Sequence, residues 1–245
     1  MKAGGKKLLF AAADRGGRQE AAPQGRLRRF FQRFTADLGH VESMRQLIEA
    51  GGMELLLLRE KEGQTALHNA ADQGHEAAAW MLIKAGGKEL LFKTDIEGGT
   101  GLHRAAKNGH ADVAKDLVEV GGKERALLVI VRLLIETGGE DLLLVTDTDG
   151  NTALHYAAMK GHVDIARLLI GSGGQRLLFL AAQSGSSPLH LDAGYGHVDV
   201  SRLLVERGGK RLLAAKTING ETAEDVATQY GHGALAGMLR RARVA

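Results

Sequence analysis

Apolar residues alternate along the chain between short and longer helical segments. Residues 150–174 show this best: a short apolar segment begins after Thr152 and ends at Gly161, and a longer one follows up to Gly173–Gly174. Threonine is a good N-cap, and glycine after a helix permits a left-handed turn. Asp164 suits the first turn of the second helix, where the helix dipole favours an anion. The pattern predicts a helix, a tight turn, a second helix and an extended loop.

The same unit recurs along most of the chain. Gly-His pairs occupy positions 39–40, 74–75, 109–110, 161–162, 196–197 and 231–232, so the steps are 35, 35, 52, 35 and 35. The motif Thr/Ser-x-Leu-His ends at His68, His103, His155 and His190. A lone unit of this kind cannot bury its apolar face, so its neighbours must stack against it and share a core.

These motifs resemble the ankyrin repeat. The matching stretches are GQTALHNAADQGH (63–75), GGTGLHRAAKNGH (98–110), GNTALHYAAMKGH (150–162) and GSSPLHLDAGYGH (185–197). The resemblance implies an all-α fold, an ankyrin-type α-solenoid of stacked helix-turn-helix repeats joined by loops or hairpins. The period of 35 exceeds the usual 33. The two extra residues follow the Gly-Gly pair, where we expect longer and more apolar loops.

The repeat pattern divides the chain into five parts. We expect a degenerate N-terminal capping repeat with a basic amphipathic helix (1–50), ankyrin repeats (51–122), a half repeat of one helix (123–139), further ankyrin repeats (140–219) and a C-terminal capping repeat (220–245). In the last part Glu224 replaces a leucine of the other copies, which suits a face without a further neighbour.

The half repeat is predicted from a local change of spacing. Gly121–Gly122 and Gly138–Gly139 are 17 residues apart, whereas the other Gly-Gly pairs at the ends of second helices, from residue 51 onward, are 35 apart. ALLVIVRLLIETGG aligns with GHVDIARLLIGSGG, so the segment corresponds to a second helix without its turn and first helix. Two outcomes are open: a notch where a first helix should stand, or a closed joint. A truncated array or a lost coding segment would give the same pattern.

Composition and charge narrow the function classes. The chain has 44% hydrophobic residues, no cysteine and no apolar run near the about 20 residues of a membrane helix. An intracellular protein, cytoplasmic or nuclear, is expected. Residues 1–34 hold nine Lys/Arg and two Asp/Glu (+7), which leaves 32−9=23 basic and 29−2=27 acidic residues (−4) elsewhere. The net charge of +3 therefore comes from the N-terminal segment.

No catalytic, cofactor-binding or metal site is predicted. All ten histidines occupy either the Thr/Ser-x-Leu-His or the Gly-His position of the repeat. The resemblance implies that these histidines orient loops and turns by hydrogen bonding. Because the pattern recurs in four units, it indicates a scaffold and not one active site. We expect no enzyme activity and no cofactor.

Two single residues stand out from their repeat positions. Asp192 lies where other copies have Ala70, Ala105 and Ala157. A buried carboxyl needs partners, so we expect a hydrogen bond to a neighbouring turn, with a polar contact to a ligand as the alternative. Trp80, the only tryptophan, is expected to lie over a neighbouring apolar stem; the alternative is an anchor for a partner.

The resemblance implies a binding surface on the turn tips and first helices of the concave side. The candidate partner-binding residues flank the turn glycine or follow the alanine pair: Lys61, Glu62, Gln64, Asp72, Ile96, Glu97, Lys107, Thr148, Asp149, Asn151, Met159, Gln183, Ser184, Ser186, Ile218, Asn219, Glu221 and Gln229. Two are lysines and five are acidic, whereas a phosphate-binding surface should be basic. Nucleic acid is therefore disfavoured on this face, and a partner protein or peptide with some basic character is favoured.

The primary hypothesis is a monomeric, non-catalytic scaffold that binds another protein or peptide. The alternative is an adaptor whose segment 1–34 binds nucleic acid or an anionic membrane surface. In that segment Leu27, Phe30, Phe31 and Phe34 recur at helical spacing, with arginines on other faces. The same helix could instead cap the stack.

Overall fold

The computed structural model describes residues 45, 48, 52–60, 62–108 and 120–244, and of residues 120–130 the backbone only. The predicted basic N-terminal helix and nearly all of the predicted capping repeat 1–50 lie outside this part. The helices are α1 (Ala66–Gln73), α2 (Glu76–Leu91), α3 (Gly101–Lys107), α4 (Val120–Leu143), α5 (Ala153–Lys160), α6 (Val163–Leu178), α7 (Pro188–Tyr195), α8 (Val198–Leu213), α9 (Ala223–Gln229) and α10 (Gly233–Val244). Residues 52–56 are also helical.

The helices form two stacked rows. The short first helices α1, α3, α5, α7 and α9 contact one another in chain order, and so do the longer second helices α2, α4, α6, α8 and α10. Each first helix also contacts the second helix that follows it. Helices on helices, with one shared core along the stack, confirm the predicted all-α solenoid for the described residues.

The first helices begin and end where the sequence predicts. Thr152 caps α5 in an extended conformation, and Gly161 ends it in the left-handed region at φ 77°. Ala157 and Ala158 are fully buried, because their small side chains let the neighbouring first helices approach closely. The first helices are thus short because an N-cap residue begins each one and a residue such as Gly161 ends it about two turns later.

The glycine pairs of the second helices correct one prediction. We expected loops after each pair, but the chain forms one more helical turn, over 210–213 in α8. A Cβ on Gly208 would lie 2.5 Å from a Leu212 side-chain atom, and Gly209 has φ 58° and ψ −157°. The first glycine therefore makes room for a leucine, and the second adopts a conformation that only glycine adopts readily.

The extra turn explains the longer repeat. Its two leucines point into the core in every described second helix of this type: Leu90 and Leu91, Leu142 and Leu143, Leu177 and Leu178, Leu212 and Leu213 are all buried. Burying a leucine side chain is worth about 1.5–3 kcal/mol, so the two apolar residues contribute to stability as core and not as loop.

The segment predicted as a half repeat is part of one longer helix. Residues 123–139 lie within α4, which contacts α3 as its first helix and packs between α2 and α6. Since α3 contacts α5 directly, no notch separates the described first helices at this point. The Gly-His pair at 109–110, from which the sequence alignment began the second helix of that repeat, lies outside the described residues.

The last described unit differs from the others at two polar positions. Glu224 accepts a hydrogen bond from Arg240 at 2.7 Å and lies 3.6 Å from Arg243. Asp225 replaces the histidine of the other units, and its carboxylate accepts a hydrogen bond from the Thr222 backbone N–H at 2.8 Å, which lowers its pKa. The Asp225 carboxylate thus accepts the same N-cap hydrogen bond that histidine Nδ1 accepts in the other units.

Candidate binding surface along the turns and first helices

Each unit begins with a tight hairpin turn closed by its own backbone. In the turn before α5, the Asp147 N–H donates to the Asn151 carbonyl at 2.9 Å, and the Gly150 N–H donates to the Asp147 carbonyl at 3.1 Å. The Asp147 carboxylate accepts from the Asp149 and Asn151 backbone N–H groups at 2.9 and 2.8 Å. An aspartate at the start of a turn therefore satisfies backbone donors that would otherwise face solvent.

Backbone hydrogen bonds also connect the tips of successive turns. Ile96 N–H donates to Glu62 O (3.0 Å), Thr148 to Glu97 (2.8 Å), Gln183 to Asp149 (2.8 Å) and Ile218 to Ser184 (3.0 Å). These bonds hold the tips at fixed spacing. The side chains at the tips remain exposed, and Ile96 and Ile218 have 67% and 75% of their surface accessible.

The histidines of the Thr/Ser-x-Leu-His motif tie each helix to the next turn. In α5 the Thr152 N–H donates to His155 Nδ1 at 3.1 Å, and His155 Nε2 contacts the Ser186 carbonyl of the next turn at 3.2 Å. His68, His103 and His190 make the same pair of contacts, to the carbonyls of Gly99, Asn151 and Glu221. A backbone N–H can only donate and a carbonyl can only accept, so each ring is neutral with its proton on Nε2.

Burial holds these rings in the neutral form. Desolvation lowers the pKa of His155 to about 4 from 6.5, and hydrogen bonding to Ser186 offsets only part of it. Desolvation by burial also lowers the pKa values of His68, His103 and His190. The predicted hydrogen-bonding role of these four histidines is confirmed.

Acidification should therefore destabilise the protein. A histidine whose pKa is lower in the folded state contributes stability that is present above 6.5 and is lost as the pH falls towards 4. His155 alone should cost about 2 kcal/mol between about pH 7 and pH 5. Urea unfolding at several pH values across this range measures how steeply the free energy of unfolding changes with pH, and His155→Gln should reduce this slope. An equal slope in His155→Gln and the unmodified chain would contradict this assignment.

The Gly-His histidines bridge neighbouring units at the other end of the first helices. His197 Nε2 lies 3.1 Å from the Met159 carbonyl, and His232 Nε2 lies 3.0 Å from the Gly194 carbonyl. His162 is buried, whereas His197 and His232 are half-buried. His40 and His110 lie outside the described residues.

Charged and aromatic side chains join the turns to the first helices. Arg104 of α3 donates to the Asp95 carboxylate through Nε at 3.0 Å and through a terminal nitrogen, and it lies 3.5 Å from Glu97. Burial of Asp95 disfavours its charge, but hydrogen bonds and charge from Arg104 prevail and lower its pKa. In the next unit Tyr156 donates to Asp147 at 2.7 Å, and its pKa is raised by burial and by that bond. Arg104 thus compensates part of the negative charge expected for this surface.

The predicted binding residues fall into three groups. Those at the turn tips are Glu62, Ile96, Glu97, Thr148, Asp149, Gln183, Ser184, Ile218 and Asn219; those that close the turns are Gln64, Asn151, Ser186 and Glu221; those at the ends of the first helices are Asp72, Lys107, Met159 and Gln229. Lys61 lies outside the described residues. We call the first group the turn-tip surface.

Two members of the third group already contact the next unit. Asp72 accepts a hydrogen bond from the Asn108 amide. The Lys107 ammonium lies 5.5 Å from the centroid of the Tyr156 ring, which is a cation–π distance. These contacts leave the turn-tip surface as the more accessible part of the candidate site.

The sequence interpretation omitted two exposed tyrosines. Tyr195 and Tyr230 occupy the same position in successive units, directly after the residue that follows the alanine pair, and are 55% and 64% exposed. The Tyr195 ring is parallel to the His197 ring with centroids 6.4 Å apart, and His197 is itself hydrogen-bonded to the Met159 carbonyl. Aromatic residues at this repeat position, in place of Gln73 and Lys160, are the signal that could have indicated them.

The two single residues singled out by sequence have local partners. The Trp80 ring faces the Lys84 ammonium at 4.7 Å, one turn along its own helix, while the indole stays partly exposed. Asp192 is fully buried and accepts a hydrogen bond from the Ser201 hydroxyl of α8, not from a turn as expected. Its other oxygen has no hydrogen-bond partner in the described part of the chain.

Within the described residues no group of three or more His, Asp or Glu side chains could hold a metal ion. None of the helices described above is long and apolar enough to cross a membrane. A family model described as ankyrin repeats (3 copies) matches residues 33–126 and 87–178, which is more than half of the chain. No curated protein matches the chain.

Proposed function

The chain belongs to the ankyrin repeat family, and we propose that it is a non-catalytic scaffold that binds a partner protein or peptide through its turn tips and first-helix ends. Ankyrin repeats generally mediate protein–protein interaction, so the partner class follows from the family. The residues that contact the partner and the absence of catalysis are our proposal.

The connected turn tips are the observation that supports this proposal. Their backbone donors and acceptors are already used between units, at 2.8–3.0 Å, so the tips lose little freedom when a partner binds. The side chains, in contrast, are exposed and differ from unit to unit. A rigid backbone with variable exposed side chains is suited to specific recognition.

The charge of the turn-tip surface favours a basic partner. Glu62, Glu97 and Asp149 occupy one position in three successive units, and Ser184 and Asn219 occupy it in the next two. Arg104 offsets only part of this charge. We therefore propose a peptide or protein segment with lysine or arginine that lies along the acidic units.

Peptides selected from a random library on the full chain should be enriched in lysine and arginine. Their affinity should fall about tenfold, or about 1.4 kcal/mol, in a Glu97→Gln, Asp149→Asn variant, because the ion pairs at the tips are lost. Fluorescence anisotropy measures this change. The matched control neutralises the exposed Glu136 and Glu206 of the second helices and should leave affinity unchanged. Equal losses in both variants would refute binding at the tips.

A second candidate function rests on the charge of segment 1–34. Its excess of seven positive charges supports an adaptor that binds nucleic acid or an anionic membrane surface. Binding to duplex DNA or to phosphatidylserine vesicles should then weaken steeply with salt. Salt-independent binding, or none, would exclude this candidate.

A further inference from the structure

The turn-tip surface combines carboxylates with unusually exposed aliphatic side chains. Ile96 is 67% exposed beside Glu97, and Ile218 is 75% exposed at the same position in a later unit. Leaving such a side chain in water forgoes about 1.5–3 kcal/mol relative to full burial. An occupant of this surface should therefore supply both positive charge and apolar side chains.

The chain carries a segment with this composition. Residues 26–34 read RLRRFFQRF, with four arginines, three phenylalanines and no acidic residue. Arginine forms paired hydrogen bonds with carboxylates, and its charge is kept at any physiological pH. Phenylalanine offers a large apolar surface to an exposed isoleucine. The segment also lies almost entirely before residue 33, where the family match begins.

The segment is close enough along the chain to reach the acidic tips. Seventeen residues lie between Phe34 and Gly52. They span about 60 Å when extended and about 40 Å when half of them are helical. The tips of Glu62, Glu97 and Asp149 belong to three neighbouring units, and stacked helices lie about 10 Å apart. The linker is thus longer than the acidic part of the surface.

We propose that residues 26–34 dock on the turn-tip surface of their own chain and occupy it in the absence of a partner. The arginines pair with Glu62, Glu97 and Asp149, and the phenylalanines cover the exposed isoleucine between them. A partner must then displace the segment, so its apparent affinity is reduced by the fraction of chains in the open state. This inference goes beyond partner binding, since the contact exists without any partner.

Energy transfer within the full chain tests the contact. The protein has no cysteine, so Gln32→Cys and Gln183→Cys give one labelling site in the segment and one on a neutral tip. We expect high transfer at low ionic strength and a marked fall between about 0.05 and about 0.5 M salt. Replacing Glu62, Glu97 and Asp149 by lysine should lower transfer to the high-salt value. Replacing the four arginines by glutamate in that variant should restore it.

A control variant separates specific docking from net charge. Glu136, Glu140 and Glu206 are exposed on the second helices, and their replacement by lysine changes the net charge equally. This variant should keep the transfer of the unmodified chain. The proposal would be overturned if energy transfer did not change with salt or with the tip substitutions. It would also be overturned if transfer fell equally in the control variant.

Two further outcomes would also overturn it. Transfer between separately labelled donor and acceptor chains would show that a second copy is the occupant. Binding of the segment to phosphatidylserine vesicles with no dependence on the tip carboxylates would assign it to a membrane surface. Circular dichroism of every variant distinguishes loss of docking from loss of fold. Failure here would leave the proposed partner binding intact, because the peptide selection measures that separately.

Discussion

Replacing Gly196 by alanine is expected to destabilise the protein by about 3 kcal/mol. Gly196 ends α7 at φ 83°, in the left-handed region, and a Cβ there would lie 2.5 Å from His232 Nδ1 of the next unit. The left-handed conformation costs a non-glycine residue about 1–2 kcal/mol. The overlap with His232 adds to this, because the ring is fixed by its bond to the Gly194 carbonyl. Urea unfolding followed by circular dichroism measures the loss.

Two other glycines provide matched controls for the same substitution. Gly231 has φ 81°, but a Cβ added there would have no atom within 4 Å, so Gly231→Ala should cost about 1–2 kcal/mol from conformation alone. Gly194 lies inside α7, and its Cβ would meet Val226 at an ordinary 3.7 Å. Gly194→Ala should therefore stabilise by about 0.5–1 kcal/mol. A similar effect of all three substitutions would show that the contact with His232 carries no energetic weight.

Replacing both Asp192 and Ser201 by alanine, which the preceding unit has at the same positions (Ala157 and Ala166), is expected to stabilise the protein, most strongly at alkaline pH. Burial raises the pKa of Asp192 from 3.8 to about 8, and the hydrogen bond from Ser201 opposes this only in part. A carboxyl whose pKa is higher in the folded state contributes stability that is fully present below pH 3.8 and is lost as the pH rises through 8. Asp192→Ala with Ser201→Ala should gain on the order of 3 kcal/mol near pH 8.

The sign of the stability change caused by each single substitution tests this explanation. Asp192→Asn keeps the volume and should remove the loss of stability between about pH 4 and about pH 8, as seen by thermal unfolding at several pH values in this range. Ser201→Ala alone removes the hydrogen-bond donor of a buried carboxyl and should destabilise. If Asp192→Asn left the slope of the unfolding free energy between about pH 4 and about pH 8 unchanged, another group would have to cause it.

The repeat itself could be predicted from sequence because its signals are local. Thr152 as N-cap, Gly161 as C-cap and the histidine at the third helical position are all determined by chemistry within a few residues. Their recurrence at fixed spacing predicted the stacked fold. The contact of each histidine with the following turn, such as His155 with Ser186, required the family resemblance and is seen directly in the structure.

The errors arose where tertiary contacts override local signals. Gly208–Gly209 predicts the end of a helix, yet burial of Leu212 and Leu213 favours one further turn. The half repeat at 123–139 stays a prediction, because residues 109–119 lie outside the described part of the chain. Among the described helices, α4 takes the second-helix position beside α3.

The candidate surface was predictable in position but not in detail. Sequence placed Glu97 and Asp149 on the turns, but it could not show that Arg104 would lie 3.5 Å from Glu97 or that the tips would be joined by backbone bonds. The exposure of Tyr195 and Tyr230 likewise depends on where the first helices end. Which residues contact a partner stays a prediction.

The direct contacts of α3 and α4 with the neighbouring units have a consequence for protein engineering. Each of the two helices contacts the preceding and following members of its own row. Backbone hydrogen bonds between successive turn tips connect the same units a second time. A reporter domain inserted into a hairpin turn would break these bonds between tips, so the turns are unsuitable places for an insertion.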